Sequence, residues 1–247
     1  MADAVARRTS LRTAVVWDVL RDALAAHPRS AGRLDVLDAG GGTGGFAVPL
    51  AELGHRVTVV DPSPDSLAAL ERRAAEAGVA VLGVQGDLAR LPDAVRARDY
   101  DVVVCHSVLE VVDDPVVALA GVAARLAPDG IASVLAANRA AAVVSRALAG
   151  HFTEAAHLLT DPDGRWAPGD AVRRRFTPDS LVELVAAAGF RIAATHGIRV
   201  FFDLLPGGLL DAEPAAREEL LRLEAAASEH PEFRAIATQL HVLAYRE

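Results

Sequence analysis

Residues 36–45 read VLDAGGGTGG, and this stretch decides how the chain folds. Counted from Gly40, it satisfies G-x-G-x-x-G, a pattern in which glycines let a dinucleotide pyrophosphate approach a helix N-terminus. Counted from Asp38, the same residues satisfy D-x-G-x-G-x-G. Both patterns place a glycine-rich turn between a strand and a helix, but they imply different ligands.

Strand-like and helix-like segments alternate around this loop. The segments that predict strands are 33–39, 55–61, 79–87, 100–107 and 131–138. The segments that predict helices between them are 43–54, 63–78 and 113–130. This order is typical of an α/β fold, here a Rossmann-like, doubly wound and mostly parallel sheet with helices on both faces.

Local signals predict the ends of several helices. Ser63 is an expected N-cap, and Gly78 is expected just beyond the end of the same helix. The next helix is expected to start after Asp114 and to close at Pro128 and Gly130.

The alternation changes after the fifth strand. Residues 139–175 combine a helical part with a loop rich in Gly, Pro and Asp, and we interpret them as an insertion over the carboxyl edge of the sheet. A helix is predicted within the N-terminal segment 1–30, and a final strand is predicted at 240–247. We interpret residues 1–247 as a single domain.

Composition limits the classes of function. The net charge is -8, and all 25 basic residues are arginine, which disfavours non-specific nucleic-acid binding by the whole surface. Cys105 is the only cysteine, which suits a reducing compartment. We expect no signal peptide, no membrane span and a cytoplasmic location, because the N-terminus lacks an apolar region and charged residues interrupt 131–150.

Acidic residues at three strand ends separate the two ligand patterns. A carboxylate at Asp38 would repel a pyrophosphate but would favour the sulfonium and ammonium of S-adenosylmethionine. Asp61 ends the second strand, where a carboxylate accepts hydrogen bonds from ribose hydroxyls of either ligand. Asp87 follows the third strand and is expected to face an adenine amino group. The sequence therefore favours S-adenosylmethionine over a dinucleotide.

Segments along nearly the whole chain carry a resemblance to a known family. They occur in order and at similar spacing: LRTAVVWDVL, VLDAGGGTG, GHRVTVVDPS, CHSVLEVVDDP, AGHF, RRRFTPDSLVELVAAAGF, GIRVFFDLL and ELLRLEAAASEHPEFRAIATQLHVLA. The sequence resembles the class I S-adenosylmethionine-dependent methyltransferases, and among them the bacterial tRNA 5-carboxymethoxyuridine methyltransferases. That family converts the carboxylate of a modified wobble uridine to its methyl ester. The resemblance also implies a final antiparallel strand and a helical insertion after the fifth strand.

The resemblance further implies which residues bind the cofactor. Carried onto matching positions, they are Arg12, Gly40, Gly41, Asp61, Gln85, Gly86 and His106. The motif analysis adds Asp38, Gly42 and Asp87 to this predicted S-adenosylmethionine site. A guanidinium at Arg12 could grip the methionine carboxylate bidentately.

Two residues are predicted to act in catalysis. A carboxylate acceptor is already ionised at neutral pH and needs an orienting cation rather than a base. Arg199, among apolar neighbours, is the predicted cation, with an arginine extending from an edge strand into solvent as the alternative. His106 contacts the cofactor near the reacting methyl or serves as base for a hydroxyl or amine acceptor; a buried structural histidine is the alternative.

The predicted partner is tRNA, contacted through Arg173, Arg174 and Arg175, or else a small-molecule acceptor. The acidic loop 161–172 and the short basic stretch weaken the tRNA prediction. Alternatives are a small-molecule O- or N-methyltransferase, a nicotinamide oxidoreductase and a non-catalytic cofactor-binding protein. No metal is expected, because no Cys/His cluster has zinc spacing.

Overall fold

Valine-rich runs form the centre of a sheet that is covered on both faces. The computed structural model describes residues 12–88, 91, 95, 100–205 and 214–246. Within them lies a seven-stranded sheet of order β3-β2-β1-β4-β5-β7-β6. Its strands are β1 (Asp35–Ala39), β2 (Arg56–Asp61), β3 (Val81–Gln85), β4 (Tyr100–His106), β5 (Leu126–Ala137), β6 (Phe190–Ile198) and β7 (Gln239–Arg246).

The helices flank this sheet. They are α1 (Ala14–Ala26), α2 (Ala47–Glu52), α3 (Pro64–Ala77), α4 (Pro115–Arg125), α5 (Arg139–Leu148), α6 (Phe152–Thr160), α7 (Pro178–Ala187), α8 (Pro214–Ser228) and α9 (Pro231–Arg234). The predicted N-terminal helix is observed as α1; residues 1–11 lie outside the described part of the chain. Among the described helices, none is both long and apolar enough to cross a membrane.

Strand direction follows the predicted pattern. β1 pairs in parallel with β2 and β4, β2 pairs in parallel with β3, and β4 pairs in parallel with β5. β7 runs antiparallel between β5 and β6. The prediction of a mostly parallel sheet with a final antiparallel strand is therefore confirmed. The strand order reverses between β1 and β4, which opens a ligand crevice at their carboxyl ends.

Alternating side chains of the central strands build two cores. On one face, Leu37 and Val103 pack with α4 and α7 residues such as Leu119 and Leu181. On the opposite face, Val104 and its neighbours pack with residues of α1, α2 and α3. Burial on both faces explains why these strands are continuously apolar in sequence.

Several helix ends lie where the capping residues in the sequence predicted them. Ser63 accepts a hydrogen bond from the Ser66 amide as N-cap of α3, and Gly78 ends that helix at φ +69°. Asp114 caps α4 through the amides of Val116 and Val117. Each cap satisfies a backbone group that the first or last turn leaves unpaired.

One predicted boundary is wrong. The helix expected to close at Pro128 and Gly130 ends at Arg125, and residues 126–130 already belong to β5. Proline disfavours helical backbone at the residue before it, so the helix cannot run through Ala127. Leu126 is fully buried and pairs with β4 instead of ending a helix.

The segment interpreted as an insertion follows the carboxyl end of β5. It forms α5 and α6, separated at Gly150 with φ +80°, and then a stretch from 161 to 175 without helix or strand. Asn138 caps α5 and donates through its side-chain amide to the carbonyls of Ala235 and Ala237. These bonds fix the start of the segment beside β7.

Candidate functional site

The glycine loop crosses the carboxyl end of the sheet between β1 and α2. Gly40, Gly42 and Gly44 have φ of +79°, +53° and +81°, a region that favours glycine. The Asp61 carboxylate accepts the Gly42 amide at 3.0 Å and the Ser63 amide at 2.9 Å. This carboxylate therefore ties the loop to the end of β2.

The loop also packs tightly on its inner side. A Cβ at Gly40 would clash with the Val108 side chain, and a Cβ at Gly41 would clash with the Asp38 carboxyl group. A Cβ at Gly42 would meet nothing closer than 3.8 Å among the described residues, at Asp61. The loop thus forms a backbone cradle that side chains on Gly40 or Gly41 would disrupt.

Asp38 lies beneath the loop and is 3% exposed. Burial raises the pKa of its carboxyl group to about 7. The hydrogen bond from the Ala47 amide acts to lower this pKa, and the charge of Asp61 acts to raise it. Its carboxyl group lies against Gly41 and accepts the Ala47 amide at the start of α2, whereas the sequence indicated only an attraction for a cationic ligand.

A crevice of about 280 Å³ opens where the strand order reverses. It is lined by Gly40, Asp61, Asp87 and residues 107, 108, 111 and 112 that follow β4. The structure therefore brings the three predicted positions from three different strand ends to one place. Dinucleotide and nucleoside ligands bind at such a place in doubly wound sheets.

Gln85 and Gly86 lie next to this crevice. The Gln85 side-chain amide donates to the Pro62 carbonyl at 3.2 Å. The Gly86 amide donates to the Asp61 carbonyl at 3.2 Å. Both bonds hold the end of β3 against the end of β2, which aligns the rim of the crevice.

His106 ends β4 beside the glycine loop. Its ring meets that of Phe46 edge-on at 4.4 Å, and its Nε2 lies 2.8 Å from the Ser133 hydroxyl. Nδ1 is buried without a hydrogen-bond partner among the described residues. Burial lowers the pKa of His106 to about 3, so the imidazole is neutral at physiological pH.

A larger cavity of about 700 Å³ lies beyond β5 and α5. Small and apolar residues of α5 form one wall, and Trp166, Val200 and Ile236 contribute to the rest. The polar and charged residues of the lining are Asn138, Ser145, Arg146, His151, Arg175, Asp203 and Thr238. A concave cavity that combines apolar residues with convergent polar groups is a common form of a small-molecule site.

Arg199 lies beside this cavity, directly after β6. Its backbone is left-handed at φ +59°, and its Nε lies 3.4 Å from the Asp203 carboxylate. Its side chain is 18% exposed, and burial lowers the pKa of its guanidinium. The left-handed conformation is strained for a residue other than glycine, so neighbouring contacts must hold the Arg199 backbone in it.

Glu224 of α8 fixes the backbone that follows Arg199. The sequence analysis did not predict this role of Glu224. This buried carboxylate accepts the amides of Val200, Phe201 and Phe202 at 2.7 to 2.9 Å. The sequence shows Glu224 only as one acidic residue in a helix rich in glutamate. Its role depends on a contact between distant segments, which no local pattern reports.

Arg12, a predicted cofactor-binding residue, lies near Arg199 at the end of β6. Its guanidinium lies over the Phe202 ring at 5.5 Å, and its charge lowers the pKa of Arg199. The start of α1 thus contributes a second cation to the edge of the sheet where β6 ends.

The three consecutive arginines 173–175, the arginine triplet, all form contacts within the protein. Arg173 pairs with Asp113 at 2.7 Å, and Arg174 pairs with Asp163 at 3.5 Å. Arg175 is 5% exposed, pairs with Asp170 at 2.5 Å and stacks on Trp166. The prediction that Arg175 contacts tRNA phosphates is therefore wrong, because its charge is buried and neutralised.

Across the described ranges, no group of three or more His, Cys, Asp or Glu side chains is placed to hold a metal ion.

Comparison with known proteins agrees with this geometry. A family model described as a methyltransferase domain matches residues 36–130. A tRNA 5-carboxymethoxyuridine methyltransferase of Escherichia coli O157:H7 is 30% identical over 197 residues, covering 79% of this chain and 73% of the relative. A ubiquinone biosynthesis O-methyltransferase of Azorhizobium caulinodans is 33% identical over 204 residues, covering 80% and 75%.

The chain belongs to the class I S-adenosylmethionine-dependent methyltransferases. A solved S-adenosylmethionine-dependent methyltransferase from Mesorhizobium loti shares the fold, with a TM-score of 0.63 and 22% identity, covering 96% of this chain and 100% of that one. The methyltransferase uses S-adenosylmethionine as its methyl donor. The predicted fold class, enzyme class and cofactor are thereby confirmed.

Proposed function

We propose that this methyltransferase transfers the methyl group to an oxygen atom, namely the carboxylate of 5-carboxymethoxyuridine at the tRNA wobble position. The observation that carries the proposal is Arg199, held in a left-handed conformation by the bonds of Glu224 to residues 200–202. Strain of this kind is maintained where a fixed side-chain position serves function. A guanidinium beside the acceptor cavity suits a carboxylate.

The resemblance to the tRNA-modifying family supports the same acceptor. The segment GIRVFFDLL, which contains Arg199, is among the specific segments of that resemblance. The relative from Escherichia coli, named for its action on 5-carboxymethoxyuridine of tRNA, aligns with 79% of this chain.

The residues at the crevice fit the cofactor. S-adenosylmethionine supplies a methyl group bonded to a positively charged sulfur. Gly40, Gly41 and Gly42 form the cradle that admits it, since added side chains at the first two would clash. Asp61 and Asp87 line the crevice with carboxylates that can accept hydrogen bonds from its nucleoside.

Further residues complete the proposed site. Gln85 and Gly86 shape the rim, and the Arg12 guanidinium can pair with the methionine carboxylate. His106 offers a buried nitrogen without a partner in the described part of the protein. Asp38 accepts the Ala47 amide at the start of α2, and its carboxyl group fills the space that a side chain on Gly41 would need.

The proposed chemistry needs orientation rather than a base. A carboxylate acceptor is ionised at neutral pH, so no proton is removed. Arg199 would orient the carboxylate, and the apolar wall of α5 would exclude water from it. His106 would remain neutral throughout, because burial lowers its pKa to about 3.

A small-molecule hydroxyl is the second candidate acceptor. It is favoured by the internal pairing of the arginine triplet, which leaves less positive charge for RNA. The relative from Azorhizobium caulinodans, named a ubiquinone biosynthesis O-methyltransferase, supports it as well. In that case His106 would be the candidate base.

The deciding experiment is mass spectrometry of wobble nucleosides in bulk tRNA from cells with and without this gene. We expect the methyl ester to vanish without the gene and the free carboxymethoxy nucleoside to accumulate. The Arg199→Gln variant should fail to restore the ester while binding S-adenosylmethionine within about threefold of wild type, because one charged hydrogen-bonding group is lost only from the acceptor side. Exposed Arg222→Gln is the matched control and should restore it.

Unchanged nucleosides in the deletion strain would overturn the tRNA proposal. Purified protein that converts a hydroxylated small molecule to its methyl ether would establish the second candidate instead. An Arg199→Gln protein with full activity on tRNA would remove Arg199 from the mechanism.

A further inference from the structure

Ser107, the residue directly after β4, combines a strained backbone with a place in the crevice. It is a residue other than glycine at φ +57°, in the left-handed region. The residue is exposed and lines the crevice together with Gly40, Asp61 and Asp87. Residues held in such conformations cluster at ligand sites, where the strain fixes the position of a side chain. Ser107 is therefore a candidate for contact with the ligand.

Three contacts hold Ser107 in this conformation. Its amide donates to the Leu135 carbonyl of β5 at 2.8 Å. The Gln239 side-chain amide, at the start of β7, donates to the Ser107 hydroxyl at 2.9 Å. The next residue, Val108, is 7% exposed and lies so close to Gly40 that a Cβ on this glycine would clash with it. The position of the hydroxyl is thus fixed relative to both the glycine loop and β7.

The bond from Gln239 determines what the Ser107 hydroxyl offers to a ligand. A hydroxyl has one hydrogen and two lone pairs, and the Gln239 amide occupies one lone pair. The hydrogen of the Ser107 hydroxyl therefore remains for another acceptor. Ionised Asp61 and Asp87, in contrast, accept hydrogen bonds and donate none. Among the described side chains that line the crevice, Ser107 supplies the hydrogen-bond donor that complements these two acceptors.

The order of the strand ends places Ser107 and Asp87 at opposite ends of the crevice. Asp87 follows β3, Asp61 ends β2, Gly40 follows β1 and Ser107 follows β4, and these four strands are neighbours in that order. Neighbouring strands lie about 4.8 Å apart, so three steps span about 14 Å. With the nucleoside at Asp87 and Asp61, the methionine end of the cofactor extends toward Ser107. That end carries a carboxylate, which accepts hydrogen bonds, and an ammonium, which donates them.

We propose that Ser107 is a cofactor-binding residue, whose hydroxyl donates its hydrogen to the methionine carboxylate of S-adenosylmethionine. Gln239 is its positioning residue, because the Gln239 amide occupies the hydroxyl oxygen and leaves the hydrogen for the ligand. A carboxylate has two oxygens, so it can pair with Arg12 and accept from Ser107 at the same time. The inference rests on the proposed placement of the nucleoside in the crevice and does not depend on the identity of the methyl acceptor.

The test compares two ligands by calorimetric titration of the purified protein. One is S-adenosylmethionine, and the other is decarboxylated S-adenosylmethionine, which keeps the sulfonium and the ammonium but lacks the carboxylate. In Ser107→Ala the Kd for S-adenosylmethionine should rise about tenfold or more, the effect of losing a hydrogen bond to a charged group. The Kd for the decarboxylated ligand should change by less than about twofold, because this ligand has no carboxylate to accept the bond.

Two further variants support this comparison. Ser107→Gly also removes the hydroxyl but relieves the backbone strain, since glycine adopts positive φ readily. It should unfold at a temperature close to that of wild type and show the same selective loss of affinity, so the inference remains testable if Ser107→Ala does not fold. Exposed Ser30→Ala, in the turn between α1 and β1, is the matched control and should leave both Kd values unchanged.

Gln239→Glu tests the direction of the Ser107 hydrogen. An ionised glutamate accepts hydrogen bonds and donates none, so Ser107 would donate to it rather than to the ligand. We expect the Kd for S-adenosylmethionine to rise at least as much as in Ser107→Ala, while the decarboxylated ligand binds no more weakly than to wild type.

Unchanged affinity for S-adenosylmethionine in the two Ser107 variants would overturn the inference. So would equal losses for the two ligands, which would show that the hydroxyl contacts another group or only shapes the loop. A Gln239→Glu protein with wild-type affinity for both ligands would overturn the positioning role of Gln239. Because no titration includes a methyl acceptor, a failure of the tRNA proposal would leave these results unaffected.

Discussion

At the scale of single residues, the glycine loop yields a sharp prediction at Gly41. A Cβ there would clash with the buried carboxyl group of Asp38, so either the loop or Asp38 must move. We expect Gly41→Ala to lose about 1–3 kcal/mol of unfolding free energy, as overpacking does, and to bind S-adenosylmethionine at least about tenfold more weakly. Thermal unfolding and calorimetric titration measure the two effects.

The matched control lies in the same loop. A Cβ at Gly45 would meet no atom of the described residues within 4 Å, and this glycine is not among those with positive φ. Gly45→Ala should therefore change stability and cofactor affinity little. Equal losses in the two variants would show that the loop responds to any added side chain and not to the contact with Asp38.

Which site residues the sequence could predict depends on how local their signal is. Asp61 and Gly42 follow from a motif and a strand end, and the structure brings them within hydrogen-bond distance. Arg175 belongs to an equally visible triplet, yet its charge is buried against Asp170 and Trp166. The triplet pattern reports charge but not the acidic partners that neutralise it, so it could not separate surface arginines from a buried one.

At the scale of elements, α8 supports the segment after β6 through one carboxylate. Glu224 accepts three consecutive amides, those of Val200, Phe201 and Phe202. In Glu224→Gln one acceptor oxygen becomes a donor, so at least one amide loses its partner, at a cost of about 1–3 kcal/mol. We expect those amides to exchange hydrogen about tenfold to a hundredfold faster, measured by NMR or mass spectrometry.

The control for this prediction is Glu219→Gln, an exposed glutamate on the same helix. It removes the same charge without touching the segment after β6, and the exchange of residues 200–202 should not change. Unaltered exchange in Glu224→Gln would mean that Arg199 keeps its left-handed backbone by other contacts.

The ends of helices could be predicted from the sequence where they depend on residues within the helix, but not where they depend on residues distant in sequence. The start of α3 at Ser63 and its end at Gly78 depend on caps within the helix, and the sequence predicted both. The end of α4 depends on Leu126 joining β5, where it pairs with Tyr100 of β4, a residue distant in sequence. Glycine and proline near that boundary therefore indicated a turn but placed it several residues late.

At the scale of the whole molecule, alternating segments predicted the layers of the fold but not the order of the strands. The order brings β4, β5, β7 and β6 side by side, and this juxtaposition creates the row of His106, Ser133, His241 and His196. Bonded neighbours in the row lie 27 to 108 positions apart in sequence, so no local spacing reveals them.

Buried carboxyl groups should set how global stability depends on pH. Burial raises the pKa of Glu110 from 4.5 to about 7, although the Ala137 amide and Arg175 act to lower it. The folded state therefore binds this proton more tightly than the unfolded chain. Its contribution to stability is complete below about pH 4.5 and is lost as the pH rises to about 7, by up to about 3 kcal/mol.

Glu110→Gln isolates this contribution, because its amide stays neutral at every pH and can still accept the Ala137 amide. We expect the variant to exceed wild type in unfolding free energy at about pH 8 by about 2–3 kcal/mol and to match it within about 1 kcal/mol at about pH 5, measured by urea unfolding. Exposed Glu71→Gln should show no such difference. Asp38, whose pKa burial also raises to about 7, remains in the variant, so a weaker decline with pH should persist. A variant less stable than wild type at the higher pH would show that Glu110 is charged in the folded protein and is stabilised by Arg175.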